Sequence, residues 1–257
     1  MSIKFTILGC GYSLGVPRID GHFGNCNPKN KKNYRTRCSG LISSPKMNIL
    51  IDTSPDIKFQ LIKNKIKNID KIFYTHPHAD QTHGINDLRF FYLKNKKKLH
   101  TYADKKTKKY LLSTFKYCFK NKGGYPAILK MNNLKVVHKF TDGNKKITLK
   151  SIPVKHGTIE SICYIINNKC AYASDVNKIY KKDINKFFNL KYFIIDCLRY
   201  NRHFSHFNLD EVLKLVKLIK PKKTILTNLN NQMDYEKLKK KLPKNVIPAF
   251  DGLSFLI

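Results

Sequence analysis

The sequence predicts an α/β (α+β) fold: a mixed system of β-sheets with helices outside, in a single domain over residues 1–257. Three observations predict it. Short runs rich in Ile, Val, Phe and Tyr, bounded by Asn, Gly, Pro and Lys, recur along the whole chain. Stretches with helix-start chemistry and apolar residues at i, i+3 and i+4 alternate with some of them. No segment reads as a linker, because the runs at Lys94–Lys98 and Lys237–Lys241 look like helix ends or turns.

In the first half, a strand at Ile3–Leu8 precedes a long loop and a strand pair at Ser39–Ser43 and Met47–Ile51. Ser54-Pro55-Asp56 then offers a cap residue, a proline and an acid in the first turn, which predicts a helix over Ile57–Ile66. A strand at Lys71–Tyr74 follows, with a further helix beginning near Asp80. In the second half, strands at Leu134–Phe140, Ile147–Ile152, Ile162–Ile166 and Ala171–Ala173 read as antiparallel. Strands at Tyr192–Asp196, Thr224–Thr227 and Val246–Phe250 alternate with helices. Asn208 with Glu211 makes a capping-box start, and Leu209, Val212, Leu213, Val216 and Ile219 share one face before Pro221 stops the helix. There is no strict repeat, although two β-rich halves are visible.

Composition narrows the class. With 42% apolar residues, 16 Phe and 14 Tyr, the chain is not disordered or low-complexity. The 50 Lys+Arg against 17 Asp+Glu give a net charge of +33. Only six of the basic residues are Arg, and the lysines are spread along the chain, so they read as a solvated surface more than as a nucleic-acid arm. Their field still concentrates phosphate-bearing molecules near the protein. No apolar run approaches the ~18–20 residues of a membrane span. The N-terminus reads as a strand without a signal-peptide core, so the expected compartment is the cytoplasm, with no membrane partner. Seven cysteines, odd in number and without a Cys-x-x-Cys pair, fit reduced thiols.

The chemistry concentrates in Thr75-His76-Pro77-His78-Ala79-Asp80-Gln81-Thr82-His83-Gly84, directly after a strand. Two imidazoles two positions apart on an irregular loop can face one ion, and a carboxylate two further on can face the same ion or a neighbour.

This segment resembles the metal motif of the metallo-β-lactamase-fold hydrolases, His-x-His-x-Asp-His, and the resemblance covers nearly the whole chain. Gly9-Cys10-Gly11-Tyr12-Ser13-Leu14-Gly15-Val16-Pro17 is similar to that family's glycine-rich turn. Tyr34-Arg35-Thr36-Arg37-Cys38-Ser39 and Ile51-Asp52-Thr53-Ser54-Pro55-Asp56 are similar to its next two segments, and Gly84 to Arg89 continue the metal motif as Gly-x-x-Asp-Leu-Arg. Pro153-Val154-Lys155-His156-Gly157, Tyr172-Ala173-Ser174-Asp175, the stretch from Arg199 to Phe207 that holds His203 and His206, and Asp251-Gly252 match later segments. The branch it most resembles contains the phosphoribosyl cyclic phosphodiesterases; the tRNA 3′-end nucleases are more distant.

The resemblance implies a four-layer αβ/βα sandwich. It implies His76, His78 and His156 as ligands of a first metal, Asp175 as a bridge and Asp80 as a ligand of a second. It implies that His203 or His206 contacts the scissile phosphate or protonates the leaving oxygen, so Asp80, His203 and His206 are the expected catalytic residues. Arg199 is a further expected phosphate contact. Two positions depart from the pattern: Gln81 stands where the family has His, and Asn228 replaces another imidazole. Both belong to the second site, which is expected to be weak or empty, while the first holds one ion firmly. The expected cofactor is Zn2+ or Mn2+, the latter favoured by the oxygen-rich second site. His83 either joins that site or lies on the surface. The expected function is a metal-dependent phosphodiesterase acting on a small or cyclic phosphodiester. The alternatives are an RNA-directed nuclease, with nucleic acid the less favoured partner, and a non-catalytic binding protein on a degraded hydrolase scaffold.

Overall fold

The computed structural model describes residues 2–257. Six strands come first: β1 (Lys4–Gly9), β2 (Ser39–Ser43), β3 (Asn48–Ile51), β4 (Lys71–Phe73), β5 (Leu99–Ala103) and β6 (Leu129–Asn133). Among them lie α1 (Ile57–Lys63), α2 (Ala79–Thr82), α3 (Arg89–Asn95), α4 (Lys105–Thr114) and α5 (Lys116–Phe119). Then follow β7 (Val137–Asp142), β8 (Lys145–His156), β9 (Ile159–Ile166), β10 (Cys170–Ala173), β11 (Tyr192–Asp196), α6 (Leu209–Ile219), β12 (Lys223–Thr227), α7 (Tyr235–Lys241), β13 (Val246–Pro248) and β14 (Ser254–Leu256).

The strands form two seven-stranded sheets, ordered β14-β1-β2-β3-β4-β5-β6 and β13-β12-β11-β10-β9-β8-β7. In the first, β1 runs antiparallel to β14 and β2, and β3 to β6 are parallel. In the second, β7 to β10 are antiparallel and β10 to β13 parallel. Both sheets are therefore mixed, and each places helices on one face.

Period-two alternation explains the layering. On β3, Ile49 and Ile51 enter a cluster with Tyr164, Tyr172 and Ile194 of the other sheet, while Leu50 faces Ile57 and Leu61 of α1. On β11, Ile194 faces the first sheet, and Phe193 and Ile195 pack with Val212 and Val216 of α6. Three separate apolar clusters result: helices on sheet, sheet on sheet, and sheet on helices. Strands with both faces covered bury apolar residues on both, which is why they read as near-continuous apolar runs. This is the four-layer αβ/βα sandwich.

Several boundaries differ from the sequence reading. The helix expected over Ile57–Ile66 ends at Lys63, and the strand expected at Leu134–Phe140 begins only at Val137. There the His138 ring turns back to accept a hydrogen bond from the Lys135 backbone N–H (2.9 Å), so the chain bends before pairing. β5, β6 and β14 lie outside the expected strands. The capping box at Asn208 and Glu211 is present as expected. Among the described residues, no helix is long and apolar enough to cross a membrane.

Candidate metal centre

The histidine-bearing loop leaves β4 and enters α2, and both sheets hold it. Thr75 donates through its backbone N–H and its hydroxyl to the two oxygens of buried Asp52, at 2.8 Å each. From the opposite sheet, the Ile162 N–H donates to the Thr75 carbonyl (2.9 Å), and the Tyr164 hydroxyl to the Tyr74 carbonyl (2.6 Å). At the loop's far end, Gly84 sits so close to α1 that a Cβ would lie 2.0 Å from the Ser54 carbonyl oxygen.

These contacts set the imidazoles. The Thr75 hydroxyl gives its proton to Asp52, so it accepts from Nδ1–H of His76 (3.0 Å), which leaves Nε2 bare. That Nε2 is buried and has no hydrogen-bond partner among the described residues. His156 ends β8 beside Gly157, whose positive φ of 59° turns the hairpin. Its Nδ1–H donates to the Ser205 carbonyl (2.7 Å), and its Nε2 faces Nδ1 of His78 at 3.3 Å. The rings of His76, His78 and His156 lie with centroids 4.5–5.1 Å apart, and their ligand atoms fall within 4.8 Å of one another.

Burial, with the neighbouring imidazoles, holds the His76 pKa well below its ordinary value and takes His156 down to about 4. Burial also lowers His78, against the pull of Asp80. Three neutral rings aiming lone pairs at one point are a strained arrangement without a cation and a good one with it. The donor set therefore fits a divalent ion.

A second group joins His156 to Asp175 and His206. Parallel pairing of β10, β11 and β12 explains it: Ala173 pairs with Ile195, and Asp196 with Thr227, so Asp175, Asp196 and Asn228 emerge side by side at the carboxyl ends of their strands. His206 Nδ1 lies 2.6 Å from Asp196 Oδ2. Burial alone would lower the His206 pKa, but Asp196, with Asp175 and Asp80, raises it to about 9. Burial and the nearby Asp80 carboxylate raise that of Asp175.

Gln81 and Asn228 reach this group as donors. The Gln81 amide N–H2 contacts Asp175 Oδ2 (3.2 Å) and Asp80 Oδ2 (3.3 Å), and the Asn228 amide contacts Asp175 Oδ1 (3.2 Å). Asp80 is outside both ligand groups and connects to Asp175 through Gln81. His203 is half-buried, its ring 5.1 Å from that of His206, and its Nδ1 lies 3.1 Å from the Ser205 hydroxyl.

Of the two places expected for His83, the surface is the one seen: the residue is exposed, its Nε2 lies 3.4 Å from the Tyr110 hydroxyl, and its ring packs on Phe115. It is the C-cap of the four-residue α2, so it does not share Asp80's face on a longer helix. Arg199 donates to the carbonyls of Asn201 and Arg202 and so braces its own loop. Asp52 and Asp196, which orient His76 and His206, were not among the expected site residues. Asp196 carries a signal, as a carboxylate closing the apolar run Tyr-Phe-Ile-Ile.

A family model described as "Beta-lactamase superfamily domain" matches residues 47–227. The chain belongs to that family, the metallo-β-lactamase-fold hydrolases, whose fold implies a divalent metal. Among solved structures, a diphosphatase of the PhnP family is 29% identical, with a TM-score of 0.89 over 99% of this chain and 97% of that one. Zn2+-bound PqqB from Methylobacterium extorquens is 17% identical, with a TM-score of 0.73 over 99% of this chain and 100% of that one. An octanoyltransferase of Porphyromonas gingivalis is 27% identical over 99% of this chain and 52% of its own, so the chain spans about half the length of that curated relative.

Proposed function

We propose that the chain is a metal-dependent phosphodiesterase acting on a small or cyclic phosphodiester with one firmly held ion. The observation that carries this reading is a juxtaposition. The bare nitrogens of His76, His78 and His156 lie beside the His206–Asp196 pair, with the His206 ring 4.7 Å from that of His156. The diphosphatase likeness, at 29% identity over nearly the full length, supports hydrolysis at phosphorus.

Nε2 of His76, Nδ1 of His78 and Nε2 of His156 would hold the ion, and three imidazoles suit Zn2+. A divalent ion held there would supply Lewis acidity, making water a stronger acid and polarising a phosphoryl oxygen. Asp80, tied to Asp175 through the Gln81 amide, would take up the one proton that an attacking water releases. Asp196 fixes Nδ1–H of His206, so Nε2–H is free to donate to a phosphoryl or leaving oxygen. His203, half-buried, offers a second donor to the phosphate.

Gln81 and Asn228 explain why one ion is enough for the folded site. Their N–H groups satisfy both oxygens of Asp175, the charge compensation that a second cation would otherwise provide. A second ion therefore displaces two hydrogen bonds and finds, beside oxygen donors, only the His206 ring, which Asp196 holds protonated, so it binds weakly and favours Mn2+.

Acyl transfer through a thiol, the chemistry the octanoyltransferase likeness brings up, has no support here. All seven cysteines are free and buried. Burial raises every thiol pKa, which keeps them protonated and poorly nucleophilic.

The test is hydrolysis of bis-p-nitrophenyl phosphate by wild type and His156→Ala, each supplied with Zn2+, Mn2+ or Mg2+. Wild type is expected to turn over and the variant to lose at least 100-fold. Inactive wild type that still holds one ion would support the binding-protein alternative.

A further inference from the structure

Arginine is rare in this lysine-rich chain, and five of its six guanidiniums are committed. Arg18, Arg37 and Arg202 pair with Asp20, Asp56 and Glu211, and Arg35 and Arg199 donate to backbone carbonyls. Arg89, from the Gly-x-x-Asp-Leu-Arg stretch, makes no side-chain hydrogen bond among the described residues. Its guanidinium lies 5.3 Å from the centre of the Tyr125 ring.

This pair lines a cavity of about 450 Å3, together with Asn86, Tyr117, Lys122 and Ile128. The two tyrosines are 50% and 63% exposed, and no lining residue is acidic. None of these residues belongs to the metal centre. The cavity is within the size range of small-ligand sites. Exposed aromatic faces beside a planar, free guanidinium and an ammonium suit a flat ring that carries a phosphate: the ring stacks, and the phosphate takes the fork of Arg89 and the charge of Lys122.

We propose that this cavity binds a nucleobase bearing a phosphate, either as a free mononucleotide or as one unit of an RNA single strand. The site is separate from the metal centre and does not depend on its chemistry.

Calorimetric titration of the full chain with AMP, with inorganic phosphate and with a short oligoadenylate tests this. AMP is expected to bind saturably and at least tenfold more tightly than inorganic phosphate. Arg89→Ala and Tyr125→Ala should each weaken it at least tenfold, while Tyr125→Phe retains it and bis-p-nitrophenyl phosphate hydrolysis stays unchanged in all three. Oligoadenylate binding at least tenfold tighter than AMP assigns the strand, and equal binding assigns the mononucleotide. The proposal is overturned if neither AMP nor oligoadenylate binds, if inorganic phosphate binds as well as AMP, or if binding survives Arg89→Ala but is lost in His156→Ala.

Discussion

His206 Nδ1 and Asp196 Oδ2 lie 2.6 Å apart at the carboxyl end of β11, with the carboxylate fully buried. The ring so held lies 4.7 Å from that of His156. Asp196→Asn keeps the shape but removes the carboxylate that raises the His206 pKa, so the ring loses its Nδ1 proton near neutral pH and its Nε2–H becomes a weaker acid. We expect kcat for a phosphodiester to fall by about 10–100-fold with little change in KM, in line with other orienting partners. A rise in KM at constant kcat would instead place His206 in substrate binding alone.

Thr75 transmits the position of Asp52 to His76. Thr75→Val removes the hydroxyl that accepts Nδ1–H. Metal affinity, measured by competition with a chelating dye, should drop about 10–100-fold. Unchanged affinity would show that packing alone orients the ring.

The Arg37–Asp56 pair ties the loop after β1 to the start of α1. Burial alone would raise the Asp56 carboxyl, but the guanidinium and the Arg37 N–H outweigh it and hold it below its ordinary value. A carboxyl depressed in the folded state stabilises fully above its unfolded pKa of ~3.9, and that contribution is lost as pH falls through the folded pKa. Asp56→Asn should therefore cost about 1–3 kcal/mol at pH 7 and less below pH ~4. Urea unfolding of the metal-free protein across this range would show the two curves converging in acid. Parallel curves would contradict the assignment.

Gly84 allows the His76–His78 loop to touch α1. With a Cβ placed 2.0 Å from the Ser54 carbonyl oxygen and 2.7 Å from Ile57 Cγ2, Gly84→Ala must move backbone. The expected loss is about 1–3 kcal/mol, read as a lower midpoint of thermal unfolding, with weaker metal binding. A variant as stable as wild type would mean that the loop can shift freely.

Much of this was legible because it depends on local chemistry. A strand followed by His-x-His-x-Asp is visible in any window, and Asn208 with Glu211 marks the start of α6 regardless of tertiary contacts. Strands β5 and β6 were not legible. Leu99–Ala103 follows a lysine run, and Leu129–Asn133 ends in two asparagines that read as a turn. Both become strands by parallel pairing, β5 on β4 and β6 on β5, a contact between distant segments. The role of Asp52 was hidden for the same reason. Asp52 meets Thr75 across 23 positions, and only the fold brings them together. The departures at Gln81 and Asn228 were visible as letters, but that the Gln81 amide bridges Asp80 and Asp175 while the Asn228 amide holds Asp175 needed the geometry.

Metal stoichiometry tests the central claim most directly. Native mass spectrometry of the zinc-equilibrated wild type should find one tightly held ion per chain. The Gln81→His/Asn228→His variant should hold two, since it replaces the donors that occupy Asp175 with imidazoles, and His is among the residues that tolerate the positive φ of 59° at position 228. Two firmly bound ions in the wild type would contradict the account, as would a double variant that still binds only one.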